Sequence, residues 1–155
     1  MAGRKFPYMA AYVACNGTGD GACDYGCIRC GSCVNACKLG AITLEEGHAA
    51  RIDRDKCRAC GLCVKACPRG IIHLHEDANR IVVACSNKDP GPKARTVCDV
   101  SCIGCGVCER TCTASAVSVR DSLSVIREQI CLSCGMCAVK CPRHALRDMK
   151  GILTR

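Results

Sequence analysis

Sixteen of the twenty cysteines in this chain fall into four segments that align without gaps: CIRCGSCVNACKLGAI from Cys27, CRACGLCVKACPRGII from Cys57, CIGCGVCERTCTASAV from Cys102 and CLSCGMCAVKCPRHAL from Cys131. Each reads C-x2-C-x2-C-x3-C, with Gly after the second cysteine (Gly31, Gly61, Gly106, Gly135) and an apolar residue five positions past the last (Ile42, Ile72, Val117, Leu146). Thiolates at this spacing are metal ligands. Three of them fit on one tight loop, and the fourth is displaced onto a short helix from which it reaches a neighbouring site. The set suits a [4Fe–4S] cubane, held by four thiolates. Structural zinc prefers two separated C-x-x-C knuckles over so compact a run. No C-x-x-C is followed by His, as covalent c-type haem requires. A thiol-rich metal store would not require Gly and Pro at fixed offsets.

The residue after the fourth cysteine is Pro in the second and fourth segments (Pro68, Pro142), and Lys38 or Thr113 in the first and third. A run of this kind ending in Pro is the bacterial ferredoxin signature, and in two-cluster ferredoxins the fourth cysteine ligates the other cluster. Applied here, Cys27, Cys30 and Cys33 share a cluster with Cys67, and Cys57, Cys60 and Cys63 share one with Cys37. In the second half Cys102, Cys105 and Cys108 go with Cys141, and Cys131, Cys134 and Cys137 with Cys112. The sixteen cysteines then make four [4Fe–4S] clusters. No residue set suggests bond-making chemistry, so no catalytic residue is assigned.

Four cysteines remain. Val13-Ala14-Cys15 precedes Cys23 and Cys27 as Val83-Ala84-Cys85 precedes Cys98 and Cys102. Cys15 and Cys23 therefore have twins in Cys85 and Cys98, and the pair belongs to a repeat of about eighty residues. Three readings stay open: small buried thiols packed beside the clusters, disulfides Cys15–Cys23 and Cys85–Cys98, or a fifth cluster with one pair from each half meeting near a pseudo-twofold axis.

The elements that must position these ligands are short. The expected fold is α+β: tandem duplicated bacterial dicluster ferredoxin-like units, residues 1–83 and 84–155, with short hairpins and short helices. ITLEEGHAARI (42–52), IIHLHEDANRIVV (71–83, turning at Asp77 to Asn79) and VSVRDSLSVI (117–126) read as hairpins. Segments after the third cysteines, such as VNACK and VKACP, suit short helices. GTGDG (17–21) and DPGP (89–92) read as loops. The tail RDMKGILTR reads as a frayed end or a docking strand.

Composition agrees with a cofactor-held interior. The 155 residues include no Trp, one Phe (Phe6) and three Tyr (Tyr8, Tyr12, Tyr25), a poor supply of bulky apolar groups for a core of this size. The formal charge of +8 counts every cysteine as neutral. Metal-bound thiols are deprotonated, and four oxidised cubanes with their thiolates carry about −8 in total. The basic residues, including Arg54, Lys56 and Arg58 beside the second motif, thus read as counter-charge and a solvated face, with no nucleic acid as partner. His48, His73, His75 and His144 follow no ligand spacing and read as surface histidines. Met1 to Ala14 shows no secretory pattern and no apolar run approaches a membrane span, so a reducing, cytoplasmic setting is expected, which disfavours disulfides.

The whole chain resembles the ferredoxin-like region of the Rnf-complex B subunit family. The resemblance is carried by VACNGT (13–18), CDYGC (23–27), ARIDRDKCRACGLC (50–63), VVACSNKD (82–89) and CDVSCIGCGVC (98–108). It implies electron transfer between ferredoxin, flavin and nicotinamide partners through cubane clusters. Membrane-bound Rnf subunits begin with a transmembrane helix and an additional cluster domain, whereas here Met1 is followed almost at once by the VAC segment. The chain is therefore expected to be a soluble polyferredoxin. It is similar to the small iron–sulfur subunits of tungsten-dependent aldehyde oxidoreductases. That likeness implies a larger redox enzyme subunit and a flavoprotein as partners in an anaerobic complex, with self-association left open. The competing readings are a free diffusible low-potential ferredoxin and an iron–sulfur redox sensor.

Overall fold

The computed structural model describes residues 9–76 and 78–153. The first half contains β1 (Met9–Val13), α1 (Ser32–Ala36), β2 (Ile42–Thr43), β3 (Arg51–Ile52), α2 (Leu62–Ala66) and β4 (Ile72–Glu76). The second contains β5 (Ile81–Val83), α3 (Gly91–Val97), α4 (Val107–Thr111), β6 (Val117–Arg120), β7 (Leu123–Ile126), α5 (Met136–Val139) and β8 (Leu146–Asp148), with a 3-10 turn at Glu128–Ile130. Apart from α3 and this turn, the two halves run in the same order. A strand leads in, each motif carries a short helix between its third and fourth cysteines, starting at the residue before the third, and a two-stranded hairpin separates the motifs.

All pairing is antiparallel and in pairs. The hairpins expected after the first and third motifs form, with Ile42 opposite Ile52 and Val117 opposite Ile126. The hairpin expected across 71–83 does not. β4 pairs with β1, Val13 opposite Ile72, and β5 pairs with β8, Val83 opposite Leu146. The Asn79 region is instead a crossover between halves; Asp77 of the expected turn lies outside the described residues. Strand alternation and a turn signal reveal that two strands flank a bend, but not whether they pair with each other. Here the strand that enters each half closes against the strand that leaves it. Ile81–Val83, which ends the 1–83 stretch in sequence, thus pairs within the second half.

DPGP also differs from expectation. Gly91 and Pro92 open α3, after Pro90 in an extended conformation. Proline is well suited to a helix's first turn because the N–H it lacks would have no partner there. The tail acts as a docking strand over Arg147–Asp148, and buried Asp148 anchors the residues beyond it: Oδ1 accepts the Lys150 N–H at 3.0 Å and Oδ2 the Leu153 N–H at 3.1 Å.

His75 is buried at 2% exposure, contrary to the expectation of a surface histidine. Burial of an imidazole is tolerable when both nitrogens are partnered. Its Nδ1 lies 2.9 Å from Glu128 Oε1, and its Nε2 meets the Asn79 carbonyl. Its ring stands edge-on to Tyr12 at 5.6 Å. Burial and the nearby Glu128 carboxylate push the Tyr12 phenol up to about 12. In the twisted β4, His75 takes the inward place that apolarity would give to Leu74, which is 38% exposed. The His75–Glu128 contact therefore joins the halves, as do Ser86 Oγ to the Ala14 carbonyl at 2.9 Å and Arg147 Nη1 to Asn16 Oδ1 at 2.9 Å.

Two cores form, one per half. The first gathers Ala10, Ala11, Ala41, Ile42 and Ile72 around Cys33, Cys57 and Cys63. The second gathers Ile81, Val117, Ala138, Ala145 and Leu146 around Cys102, Cys108, Cys137 and Cys141. Among the apolar residues buried below 2% the largest are Ile72, Ile81 and Leu146, so alanine methyls and cysteine sulfur supply much of each interior. We expect Leu146→Ala to lower the anaerobic unfolding free energy by about 2–5 kcal/mol, while Leu74→Ala stays within about 0.5 kcal/mol of the parent. Denaturant titrations of the two variants check the contrast.

Candidate metal centres

Each motif builds a ligand loop from backbone conformations that side chains rarely favour. The residue before the second cysteine is left-handed in all four copies: Arg29, Ala59, Gly104 and Ser133, at φ 54°, 53°, 63° and 51°. The motif glycine follows at φ 78°, 74°, 71° and 77° and caps the helix that carries the third cysteine. Left-handed backbone is nearly free for Gly and costs roughly 1–2 kcal/mol for other residues, so Arg29, Ala59 and Ser133 store strain that something in the loop must offset. The helices begin one residue before the third cysteine, earlier than expected, and three of the four end at the fourth, α5 stopping one residue sooner with Lys140 as its C-cap. Cys37, Cys67 and Cys112 are C-cap residues with extended backbone. A second left-handed residue stands three positions beyond each fourth cysteine: Gly40, Gly70, Ser115 and His144. Only two of these are Gly, so composition does not announce the position.

In the first half the fourth cysteines cross between motifs. One small cavity is lined by Cys27, Cys30, Cys33 and Cys67, with Val13, Leu44 and Ile72. A second is lined by Cys37, Cys57, Cys60 and Cys63, with Ala11, Ile42 and Ile52. In the second half the motif thiols lie close to one another. Burial pushes the Cys108 thiol up, and the Cys102 and Cys141 thiols add to it. Burial pushes Cys137 up to about 12, reinforced by Cys131, Cys108 and Cys112. Cys33 is likewise raised by burial, with contributions from Cys27 and Cys67.

Exposure is graded along each motif. The second cysteines Cys30, Cys60, Cys105 and Cys134 are exposed and the third cysteines Cys33, Cys63, Cys108 and Cys137 are buried. Each site therefore has an outward and an inward edge. Neither Cys15–Cys23 nor Cys85–Cys98 is a disulfide. Cys15, Cys23, Cys85 and Cys98 instead line a third cavity together.

Backbone N–H groups point at the sulfurs, as the small residues between the ligands allow. The residue two past the first cysteine donates to it: Arg29 to Cys27 at 3.4 Å, Ala59 to Cys57 at 3.5 Å and Ser133 to Cys131 at 3.4 Å. The residue four past the fourth cysteine does the same: Ala41 to Cys37 at 3.4 Å, Ala116 to Cys112 at 3.3 Å and Ala145 to Cys141 at 3.4 Å. Such donors suit thiolates, whose charge they offset. Among the described residues no three Cys, His, Asp or Glu side chains converge as ligands of a single ion. In a cubane each iron takes its own thiolate, so the ligands surround a cage. Four sulfurs around a small apolar cavity fit that group.

Residues 26–80, 56–116 and 101–146 each match a family described as "4Fe-4S dicluster domain". Together these matches run from residue 26 to residue 146, and the chain carries tandem ferredoxin-like dicluster domains that bind several [4Fe–4S] clusters. It also resembles the iron–sulfur region of Rnf-type B subunits. It is 40% identical over 124 residues to the B subunit of the ion-translocating oxidoreductase complex of Methanosarcina acetivorans, covering 80% of this chain and 47% of that protein. It is 37% identical over 131 residues to the B subunit of the proton-translocating ferredoxin:NAD(+) oxidoreductase complex of Clostridium ljungdahlii, covering 83% and 46%. With the B subunit of the Na(+)-translocating ferredoxin:NAD(+) oxidoreductase complex of Acetobacterium woodii, identity is 37% over 128 residues, covering 83% and 38%. The chain spans half or less of the length of these relatives. No helix among the described residues is long and apolar enough to cross a membrane.

Ser124, 2% exposed, places its Oγ 3.4 Å from Cys108 Sγ. With Cys108 as a thiolate ligand, the hydroxyl donates, and it favours the more negative, reduced form of the site. Ser124→Ala should therefore move one reduction potential in the negative direction, by about 60 mV for each 1.4 kcal/mol of lost stabilisation. An EPR-monitored redox titration reads the shift.

Proposed function

We propose that this chain is the polyferredoxin subunit of an anaerobic oxidoreductase complex. It would relay single electrons between a larger redox enzyme subunit and a flavoprotein, in an assembly of the tungsten-dependent aldehyde oxidoreductase type. Cys27, Cys30, Cys33 and Cys67 would hold one [4Fe–4S] cluster, and Cys57, Cys60, Cys63 and Cys37 a second. Cys102, Cys105, Cys108 and Cys141 would hold a third, and Cys131, Cys134, Cys137 and Cys112 a fourth. Each cubane, when bound, supplies reversible one-electron storage at low potential.

The chain's own residues supply the rest. Crossed fourth cysteines tie the sites of each half together, so their spacing is set by the α1–α2 and α4–α5 packing. N–H donors offset thiolate charge, and the basic surface balances the remainder. The observation that carries the reading of a subunit over that of a free carrier is the apolar surface beside the outward cysteines. Ile28 is 39% exposed next to the Cys30 loop, Leu62 42% next to Cys60, and Leu132 73% and Met136 45% on either side of Cys134. Clustered exposed apolar side chains mark contact surfaces, and here they rim the edges at which electrons would enter or leave.

Two experiments test this. Purified anaerobically from its native host, the chain should run with an oxidoreductase subunit and a flavin-bearing subunit, and Leu132→Glu with Met136→Glu should release it; a chain that runs alone contradicts the proposal. Cys67→Ala should remove about four irons, those of the Cys27, Cys30 and Cys33 site, and spare the site of its sequence neighbours Cys57, Cys60 and Cys63.

A further inference from the structure

We propose that Cys15, Cys23, Cys85 and Cys98 together hold a fifth [4Fe–4S] cluster, at the junction of the two halves. This rests on the reading of the chain as a multi-cluster iron–sulfur protein, and goes beyond the ligand sets of its four repeated motifs.

The four thiols come from two distant stretches of sequence yet face one space. They line one small cavity, as the motif cysteines of the first half line theirs.

The backbone treats these sulfurs as it treats the motif ligands. Asn87 N–H donates to Cys85 Sγ at 3.4 Å, the same two-residue offset by which Arg29 serves Cys27. Cys27 N–H donates to Cys15 Sγ at 3.4 Å, and Cys102 N–H donates to Cys85 Sγ at 3.3 Å. This twin pair relates the two halves and sets the cavity directly against the first ligand of a motif on each side. A cluster there would sit between the first and third motif sites.

Two further features belong to the cavity wall. Neither Gly17 nor Gly26 has the left-handed backbone that demands glycine, and both lie against the sulfurs. A β-carbon on Gly17 would stand 3.2 Å from Cys98 Sγ and 3.9 Å from Cys15 Sγ, and one on Gly26 3.3 Å from Cys23 Cβ and 3.6 Å from Cys15 Sγ. The side chain of Asn87, 1% exposed and part of the cavity wall, uses its Oδ1 to accept the Asp89 N–H at 2.8 Å. Its Nδ2 has no partner among the described residues. A buried amide donor is seldom left unsatisfied, and cluster sulfur is an acceptor it could serve.

Anaerobic iron and acid-labile sulfide analysis of the full chain tests this directly. Five cubanes correspond to about twenty irons per chain and four to about sixteen; about twenty is expected, and about sixteen overturns the fifth site while leaving the four-cluster reading intact. Few or no irons would overturn that underlying reading as well. Cys15→Ala with Cys98→Ala should lose about four irons and keep the EPR signals of the motif sites; unchanged iron content overturns the proposal. Should that variant not fold, Gly17→Val keeps every ligand and crowds the cavity, and the same loss of about four irons is expected. Wild-type iron content in Gly17→Val would count against the site.

Discussion

The bond between a cysteine thiolate and cluster iron is the interaction on which the rest of this structure depends. The two apolar interiors consist of alanine, a few β-branched residues and cysteine sulfur, with one buried leucine, Leu146, in the second. That is too little apolar volume for 155 residues to bury by packing alone. The buried thiols would resist ionisation in an empty fold, as the rise of Cys85 to about 11 and Cys137 to about 12 indicates. Iron displaces those protons, so metal affinity and folding draw on the same free energy.

Ligation also explains the irregular backbone. Left-handed Arg29, Ala59 and Ser133 would be poor choices in an ordinary turn. In a ligand loop they bring three thiols onto one surface and aim the following N–H groups at sulfur. In the first half the fourth cysteine of each motif lines the cavity of the other, so neither cavity is built by one motif alone. The short strands act as closures: β1 against β4 and β5 against β8 bind the beginning of each half to its end, and the cysteines preceding each first motif are carried to the junction.

The spacing and duplication of sixteen cysteines are legible in sequence, and in the first half the structure brings Cys67 to Cys27, Cys30 and Cys33, and Cys37 to Cys57, Cys60 and Cys63. The twin positions of Cys15 with Cys85 and of Cys23 with Cys98 are legible too, and their convergence is one of the three readings that the sequence leaves open. It depends on how two halves dock, through contacts such as His75 with Glu128 that no local pattern encodes. The strand partners of 72–76 and 81–83 escape a sequence reading for the same reason. A bend between two apolar strands looks like a hairpin whether the strands pair or part. His75 escapes it because β4 twists away from strict alternation, and α3 because two prolines flanking a glycine signal a turn as readily as a helix start. Small residues between the ligands signal that N–H groups approach the sulfurs, but residue type does not say which N–H donates, since any backbone can supply one.

Removal of iron tests the central claim most directly. The holo chain, exposed anaerobically to a strong iron chelator and followed by far- and near-UV circular dichroism together with its iron–sulfur absorbance, should lose fold and colour together. Restoring iron and sulfide under reducing conditions should return both. A bleached, iron-free chain that keeps its tertiary signal and melts cooperatively would contradict the account.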